Sequence, residues 1–228
     1  MSQATRRPRL FGVLGDPIDH SLSPVMQNAA FAARGLDWAY VPLPVAAEQL
    51  AAAVEGLVAL DFAGANVTTP HKLTVAKLVD TDEPSVNTLV VRDGRVFGSS
   101  TDAAILGELE FRRAVIVGDG GAAVAFASAL PGAPRFSRRG NWPPEVSDAD
   151  VIINATSERD QSLFELGPGQ TLVDLPYPPT ATARAAEAAS ARVVEGLDVL
   201  VAQGAASFEL WTGMPAPLDV MRAAVRSG

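Results

Sequence analysis

Seven residues, NVTTPHK (66–72), place two threonines, a proline, a histidine and a lysine outside any helical or strand periodicity. The chain carries 18 Lys+Arg, yet its only lysines are Lys72 and Lys77. Arginine keeps its proton near neutral pH, whereas a lysine can release one when its site shifts its pKa. Lys72 is therefore a candidate proton-handling residue. Asp102, in GSSTDAA, lies just past a strand. A carboxylate within reach of a lysine would fix the ammonium and let the pair pass a proton. Thr101 or Asp102 before a helix is equally good capping chemistry, and both readings can hold. SLSP (21–24) sets two hydroxyls ahead of a helix start, where O–H and N–H groups together can bind a carboxylate; simple N-capping is the alternative. Asn66, Thr68 and Asn87 offer neutral donors and acceptors suited to a polyhydroxylated ligand. Taken singly, each also reads as a loop-stabilising polar residue.

A second set points to a nucleotide. GDGGAA (118–123) follows an apolar strand and opens a helix. Glycines there let the backbone approach a pyrophosphate, while the helix start supplies N–H groups. A tight turn without a ligand is the competing reading, and Asp119 sets a negative charge in the loop. SRRG (137–140) ends the next strand. An acid at that place suits NAD and an arginine suits the 2′-phosphate of NADP, so Arg138 and Arg139 favour NADP over NAD. A solvated basic pair is the alternative.

The elements that must hold these residues can be read from periodicity. Strands are expected at 10–15, 38–45, 62–68, 114–118, 135–137, 150–156, 171–177 and 192–198, with a hairpin over 87–100 turning at Asp93-Gly94. Helices are expected from Pro24 to Gly35, over 46–60, 70–80 and 103–111, after the glycine turn, and from about Ala202 to Trp211, before a terminal amphipathic stretch. The alternation after Asp102 implies a doubly wound parallel sheet. The expected fold is α/β, an N-terminal α/β substrate domain plus a trimmed Rossmann-like NADP-binding domain with a cleft between them. The expected boundaries are 1–102 and 103–198, with helices in 199–228 packing back onto the first domain.

Composition narrows the function classes. With 228 residues, 48% hydrophobic and 19% charged, the chain reads as globular. A net charge of −8 argues against non-specific binding to nucleic acid or anionic membrane. The absence of cysteine excludes disulfides and thiolate metal sites, and two histidines argue against a His-rich zinc site. No apolar run reaches membrane-span length, and the basic start MSQATRRPRL lacks the apolar core of a signal peptide. A soluble cytoplasmic protein is the default expectation.

These pieces, in this order, resemble the shikimate dehydrogenase family: GDPIDHSLSP (15–24), GANVTTPHK (64–72), VNTLV (86–90), the TD pair (101–102), GDGGAA (118–123), INATS (153–157), DLPYPPTAT (174–182) and GLDVLVAQGAASFELWTG (196–213). The resemblance implies NADP-linked interconversion of 3-dehydroshikimate and shikimate in aromatic amino-acid biosynthesis. It implies Lys72 as the catalytic acid/base and Asp102 as its partner. Ser21 and Ser23 match the hydroxyls that hold the substrate carboxylate. Asn66, Thr68, Asn87, Tyr177 and Gln203 match further residues of the substrate site. Gly118, Gly120, Gly121 and Ala122 match the phosphate loop, Arg138 the 2′-phosphate contact, and Arg139, Asn154 and Thr156 join the cofactor side. In oxidation the lysine must lose its proton, which predicts faster turnover at alkaline pH. The partner implied is a small molecule, acted on by a monomer or homodimer without nucleic acid, membrane or metal.

The chain also departs from the family pattern. Between Arg139 and Asp148 only GNWPPEVS (140–147) stands where the family places a helix and a strand, so one βα unit is expected to be missing. Ser100 replaces an asparagine before TD, and Asp198 and Val199 stand where glycine and methionine are usual. The competing expectations are a quinate or aminoshikimate dehydrogenase with NAD possible, or a non-catalytic shikimate-binding paralogue with weak cofactor binding.

Overall fold

The computed structural model describes residues 8–227. Most of the basic start read against a leader (1–7) lies outside the described residues. The chain divides into two compact units. One comprises the described residues up to Asp82, with Val86–Ser99 and Gly204 onward. The other comprises Glu83–Ser85 and Ser100–Gln203.

The first unit is built on a five-stranded sheet of β1 (Arg9–Gly15), β2 (Trp38–Pro44), β3 (Phe62–Val67), β4 (Thr88–Arg92) and β5 (Arg95–Ser99), in the order β2-β1-β3-β4-β5. β1 runs parallel to β2 and β3, and β4 runs antiparallel to both β3 and β5. Phe11–Gly15 of β1 is buried throughout, which explains its uninterrupted apolar reading. The β4–β5 turn has positive φ at Asp93 (53°) and Gly94 (73°), the paired left-handed geometry that suits a two-residue hairpin. The helices are α1 (Ser23–Ala33), α2 (Leu50–Ala59), α3 (Lys72–Val75), the latter part of α6 (Gly196–Thr212) and α7 (Leu218–Ser227). An aromatic cluster joins α1 and α6 to the sheet. Phe11 lies 5.3 Å from Phe31, 5.2 Å from Trp38 and 4.8 Å from Trp211 between ring centroids, and Phe31 lies 5.7 Å from Phe208. Such ring pairs add about 0.5–1.5 kcal/mol each beyond their burial.

The second unit holds five parallel strands in the order β10-β9-β8-β6-β7. They are β6 (Ala114–Val117), β7 (Arg135–Phe136), β8 (Val151–Asn154), β9 (Thr171–Asp174) and β10 (Arg192–Val194). Successive side chains of a strand face opposite ways. Ile116 and Ile153 accordingly join a core with Phe126 of α4 (Gly121–Ala129). Val115, Val117 and Ile152 join another with Ala183 and Ala186 of α5 (Ala181–Ala188). A sheet covered on both faces needs apolar residues at every position, which is the pattern read in AVIVG.

Several expectations shift. The helix expected over 70–80 is a single four-residue turn, Lys72–Val75, and the one expected over 103–111 is a 3₁₀ segment, Asp102–Glu108. The strands expected in the second unit shorten to between two and four residues. The helix expected from Ala202 begins at Gly196, directly after β10. The full doubly wound order is 3-2-1-4-5-6; this sheet matches it with the third strand absent, so β7 forms the edge. Among the described residues, 137–150 form no helix or strand. The expected missing βα unit is thus seen in the fold.

Candidate active site

In the first unit, the carboxyl ends of parallel strands carry the predicted substrate residues. Open α/β sheets bind ligands at that edge. β1 ends at Gly15 and its loop leads to Ser21 and Ser23. Helix α1 starts at Ser23 after Leu22, whose side chain makes no cap bond. The hydroxyl of Ser21 accepts the Ser23 N–H, the first donor of the helix, at 3.3 Å, a bond of the capping kind. β3 ends at Val67 and passes into Thr68 and Lys72. The Thr68 N–H donates to the Leu14 carbonyl (2.9 Å), His71 N–H to Thr68 (2.9 Å), and Val86 N–H to the Lys72 carbonyl (3.0 Å). The His71 ring is buried and its Nε2 lies 2.6 Å from the Val45 carbonyl, which requires that nitrogen to carry the proton. Lys72 therefore opens α3 on a loop fixed at both ends, half-buried.

A buried polar network sits behind these residues. Tyr40 Oη donates to Asn66 Oδ1 at 2.8 Å. Asn66 Nδ2 faces the Asn87 carbonyl (3.0 Å), Thr88 Oγ1 (3.2 Å) and Ser207 Oγ (2.9 Å). Thr88 Oγ1 donates to Asn87 Oδ1 at 3.0 Å and lies 2.8 Å from Ser207 Oγ. Burial pushes the Tyr40 phenol well above its ordinary pKa. The Asn66 amide is thus engaged within the protein. It braces Asn87 from within the protein. Tyr40 lies in no motif, and Thr88 and Ser207 lie within VNTLV and the 196–213 segment without standing out there. Ser207 meets Asn66 from 141 positions away, so no local signal shows that these residues act together.

Gly64 opens the GANVTTPHK motif for a packing reason. A Cβ there would stand 2.5 Å from the Leu89 carbonyl oxygen and 2.6 Å from Trp211 Nε1. Trp211 Nε1 itself donates to that carbonyl at 3.0 Å.

In the second unit, Asp102 is the first residue of the 3₁₀ segment and is 6% exposed. Thr101 precedes it as the N-cap residue without a side-chain cap bond, and Asp102 is the acid of the first turn. Gly118 has φ +135°, and a Cβ there would lie 2.6 Å from the Ala155 carbonyl oxygen. Gly120 is the extended N-cap of α4, again with no side-chain cap, and Gly121 and Ala122 form the first turn. This bare helix start fits a phosphate. Asn154 is fully buried. Its Nδ2 donates to Asp174 Oδ1 (2.7 Å) and its Oδ1 accepts from Thr156 Oγ1 (2.8 Å), so both side chains brace the end of β8. Asp174 also accepts from the Thr180 N–H and hydroxyl, each at 3.1 Å. The Asn154 amide is turned to Asp174. Arg138 and Arg139 are exposed beyond β7, Tyr177 is half-buried before Pro178, and Gln203 sits in α6, donating to the Leu200 carbonyl at 2.8 Å.

Comparison with known proteins agrees with this arrangement. The shikimate dehydrogenase substrate binding domain matches residues 13–89, and the shikimate 5′-dehydrogenase C-terminal domain matches residues 196–226. The chain is 38% identical to a shikimate dehydrogenase (NADP(+)) of Moorella thermoacetica, over 99% of this chain and 95% of the relative. That alignment spans 281 positions, more than the chain's 228 residues, so the relative holds segments that this chain lacks. A shikimate dehydrogenase (NADP(+)) of an Anaeromyxobacter species is 40% identical over 97% of each chain. A crystal structure of shikimate 5-dehydrogenase from Thermus thermophilus in complex with NADP(H) and shikimate superposes with a TM-score of 0.83 at 30% identity, covering 96% of this chain and 99% of that one. With relatives this similar aligned along nearly its whole length, the chain belongs to the shikimate dehydrogenase family.

Proposed function

We propose that this chain is an NADP-dependent oxidoreductase interconverting 3-dehydroshikimate and shikimate, with Lys72 and Asp102 as the catalytic pair. The observation that carries the reading is the substrate edge of the first unit. There Ser21, Ser23, Thr68, Lys72 and Asn87 follow or precede the strands β1, β3 and β4, backed by the Tyr40–Asn66–Ser207 network. The first compact unit is read as substrate-binding. The second, with Asp102 and Gln203 at or near its borders and Tyr177 within it, is read as dinucleotide-binding. The enzyme is read as cytoplasmic, and as a monomer or homodimer.

NADPH, when bound, supplies the hydride that converts the C3 ketone to an alcohol. The chain's own residues do the rest. Ser21 and Ser23 hold the substrate carboxylate through their hydroxyls. Asn87 and Thr68 bind ring hydroxyls, and the Asn66 network keeps Asn87 in one orientation. The Lys72 ammonium stabilises charge developing on the C3 oxygen and gives it a proton. Asp102 orients that ammonium. In the oxidative direction Lys72 takes the hydroxyl proton. Gly118, Gly120, Gly121 and Ala122 offer a helix start to the pyrophosphate.

The test is shikimate oxidation by the purified chain, followed as reduced nicotinamide absorbance, with NADP and NAD in parallel. Turnover with NADP that disappears in Lys72→Ala is expected. No turnover with either coenzyme from folded protein would overturn the reading and lead to quinate, aminoshikimate and simple shikimate binding as the next measurements.

A further inference from the structure

The two arginines after β7 do not face solvent as uncompensated cations. Arg138 Nη2 lies 3.5 Å from Glu158 Oε2, and Arg139 Nη1 lies 3.7 Å from Asp119 Oδ2. The Arg138 guanidinium also sits over the Trp142 ring, 5.6 Å from its centroid. Glu158 is the more constrained acid. Its other oxygen, Oε1, accepts backbone N–H groups from Arg159 (3.1 Å), Asp160 (3.1 Å) and Gln161 (3.3 Å). One carboxylate oxygen is thereby fixed to the loop after β8 while the other is aimed at Arg138. The Asp160 N–H, followed by the Gln161 N–H and the charge of Arg138, holds the Glu158 carboxyl below its usual range, against a smaller opposing effect of partial burial.

We propose that Glu158 is a coenzyme-specificity residue, which by counter-charging Arg138 narrows the enzyme's preference for a 2′-phosphorylated dinucleotide over its unphosphorylated counterpart. This rests on the NADP reading of the proposed function, with Arg138 as the 2′-phosphate contact that the family resemblance implies. An incoming phosphate meets a guanidinium already paired with a fixed anion. It must share that cation and approach the carboxylate. A ribose with free hydroxyls suffers no such repulsion, and a carboxylate is the group that accepts them in NAD sites. The same counter-charging is repeated at Arg139 by Asp119, so the two cations and two anions cancel. Trp142 keeps the Arg138 plane in place, so the contact to phosphate survives while its charge advantage is reduced.

The test is calorimetric titration of the full chain with adenosine 2′,5′-diphosphate and with 5′-AMP, which differ only in the 2′-phosphate. Glu158→Gln keeps an oxygen for the three N–H groups and removes the charge. It is expected to tighten adenosine 2′,5′-diphosphate about fivefold, the size of one exposed ion pair, and to leave 5′-AMP unchanged. The NADP-to-NAD ratio of kcat/KM should rise by the same factor. In an Arg138→Gln background the gain should vanish. Unchanged or weaker binding of adenosine 2′,5′-diphosphate to Glu158→Gln, with both nucleotides still binding the parent chain, overturns the proposal alone. So does a gain that persists without Arg138. Binding of neither nucleotide to any folded variant overturns the dinucleotide-site reading itself, and the proposal with it.

Discussion

Replacing Tyr40 by Phe isolates the network behind the substrate edge. Tyr40 is 2% exposed and its hydroxyl donates to Asn66 Oδ1 at 2.8 Å; Asn66 is itself 5% exposed. Tyr40→Phe keeps the ring and its place 6.1 Å from Trp211, but leaves that buried oxygen without its donor. An unsatisfied buried acceptor costs about 1–3 kcal/mol. The expected loss at neutral pH is about 2 kcal/mol, roughly thirtyfold in the folded-to-unfolded ratio. The pH dependence changes as well. Burial raises the folded pKa of Tyr40 above its unfolded value of about 10. The neutral phenol is therefore favoured by folding. Its stabilising contribution is complete below about pH 10 and is lost as pH rises further, because the unfolded chain releases the proton first. Each pH unit in that window removes about 1.4 kcal/mol from the wild type, a slope that the Phe variant lacks. Urea unfolding followed by near-ultraviolet circular dichroism of the Trp38–Trp211 cluster measures both effects. The chain has two tyrosines, so tyrosinate absorbance of the variant reports Tyr177 alone and the difference isolates Tyr40. A bracing role for the network also predicts a higher KM for shikimate in the variant, with kcat changed less. Equal stability of the two proteins at pH 7, or reversible ionisation of Tyr40 in the folded chain near pH 10, would refute the reasoning.

Three further outcomes are expected. Gly118→Ala forces a side chain to a φ of +135° and to 2.6 Å from the Ala155 carbonyl oxygen, so it should weaken dinucleotide binding at least tenfold, consistent with a steric and backbone cost above about 1.4 kcal/mol, as titration of NADP would show. Gly64→Ala should displace the Trp211 indole and break its bond to the Leu89 carbonyl, seen as a red-shifted tryptophan emission and a lower melting temperature. Asp150 accepts N–H groups from Arg112 (2.8 Å) and Arg113 (2.9 Å), which hold its carboxyl below the usual range. Its contribution is present above the unfolded pKa and lost as pH falls through the folded one, so Asp150→Asn should flatten the acid edge of the stability profile in thermal melts below about pH 4, the unfolded aspartate value.

The sequence displayed its fold wherever one local rule governed an element. Asp93-Gly94 marked the β4–β5 turn because two adjacent positive φ values require such residues. AVIVG marked a strand buried on both faces. Short segments misled: PHKLTVAKLVD has helical spacing over 70–80, but the Lys72 carbonyl accepts the Val86 N–H, and the chain turns to meet β4 after one helical turn. Site residues in motifs were legible, since each motif keeps its chemistry local. The residues that position them were not. The joint role of Tyr40, Thr88 and Ser207 shows only when the fold brings them to Asn66. Glu158 carries no local signal, because its pairing with Arg138 depends on two connections meeting in space.

The same contrast explains how the second unit can lack a βα unit and still present a phosphate loop. In a doubly wound sheet the ligand crevice lies at the switch point, where neighbouring strands send their connections to opposite faces. Here that point falls between β6 and β8, which pair directly through Ala114–Val117 and Val151–Asn154. Gly118 after β6 meets Ala155 after β8, and the Ala155 N–H donates back to Val117 at 2.8 Å. The contacts that shape the glycine turn therefore come from α4, from these two strands and from Phe136 of β7, whose carbonyl accepts the Gly118 N–H at 2.8 Å. The absent strand would lie one place further out, beyond β7. Its loss leaves the turn intact and exposes only the edge that carries Arg138 and Arg139. The shortening should therefore act on adenosine-ribose selectivity, where exposed ion pairs decide the outcome, and not on the pyrophosphate turn, where backbone geometry does.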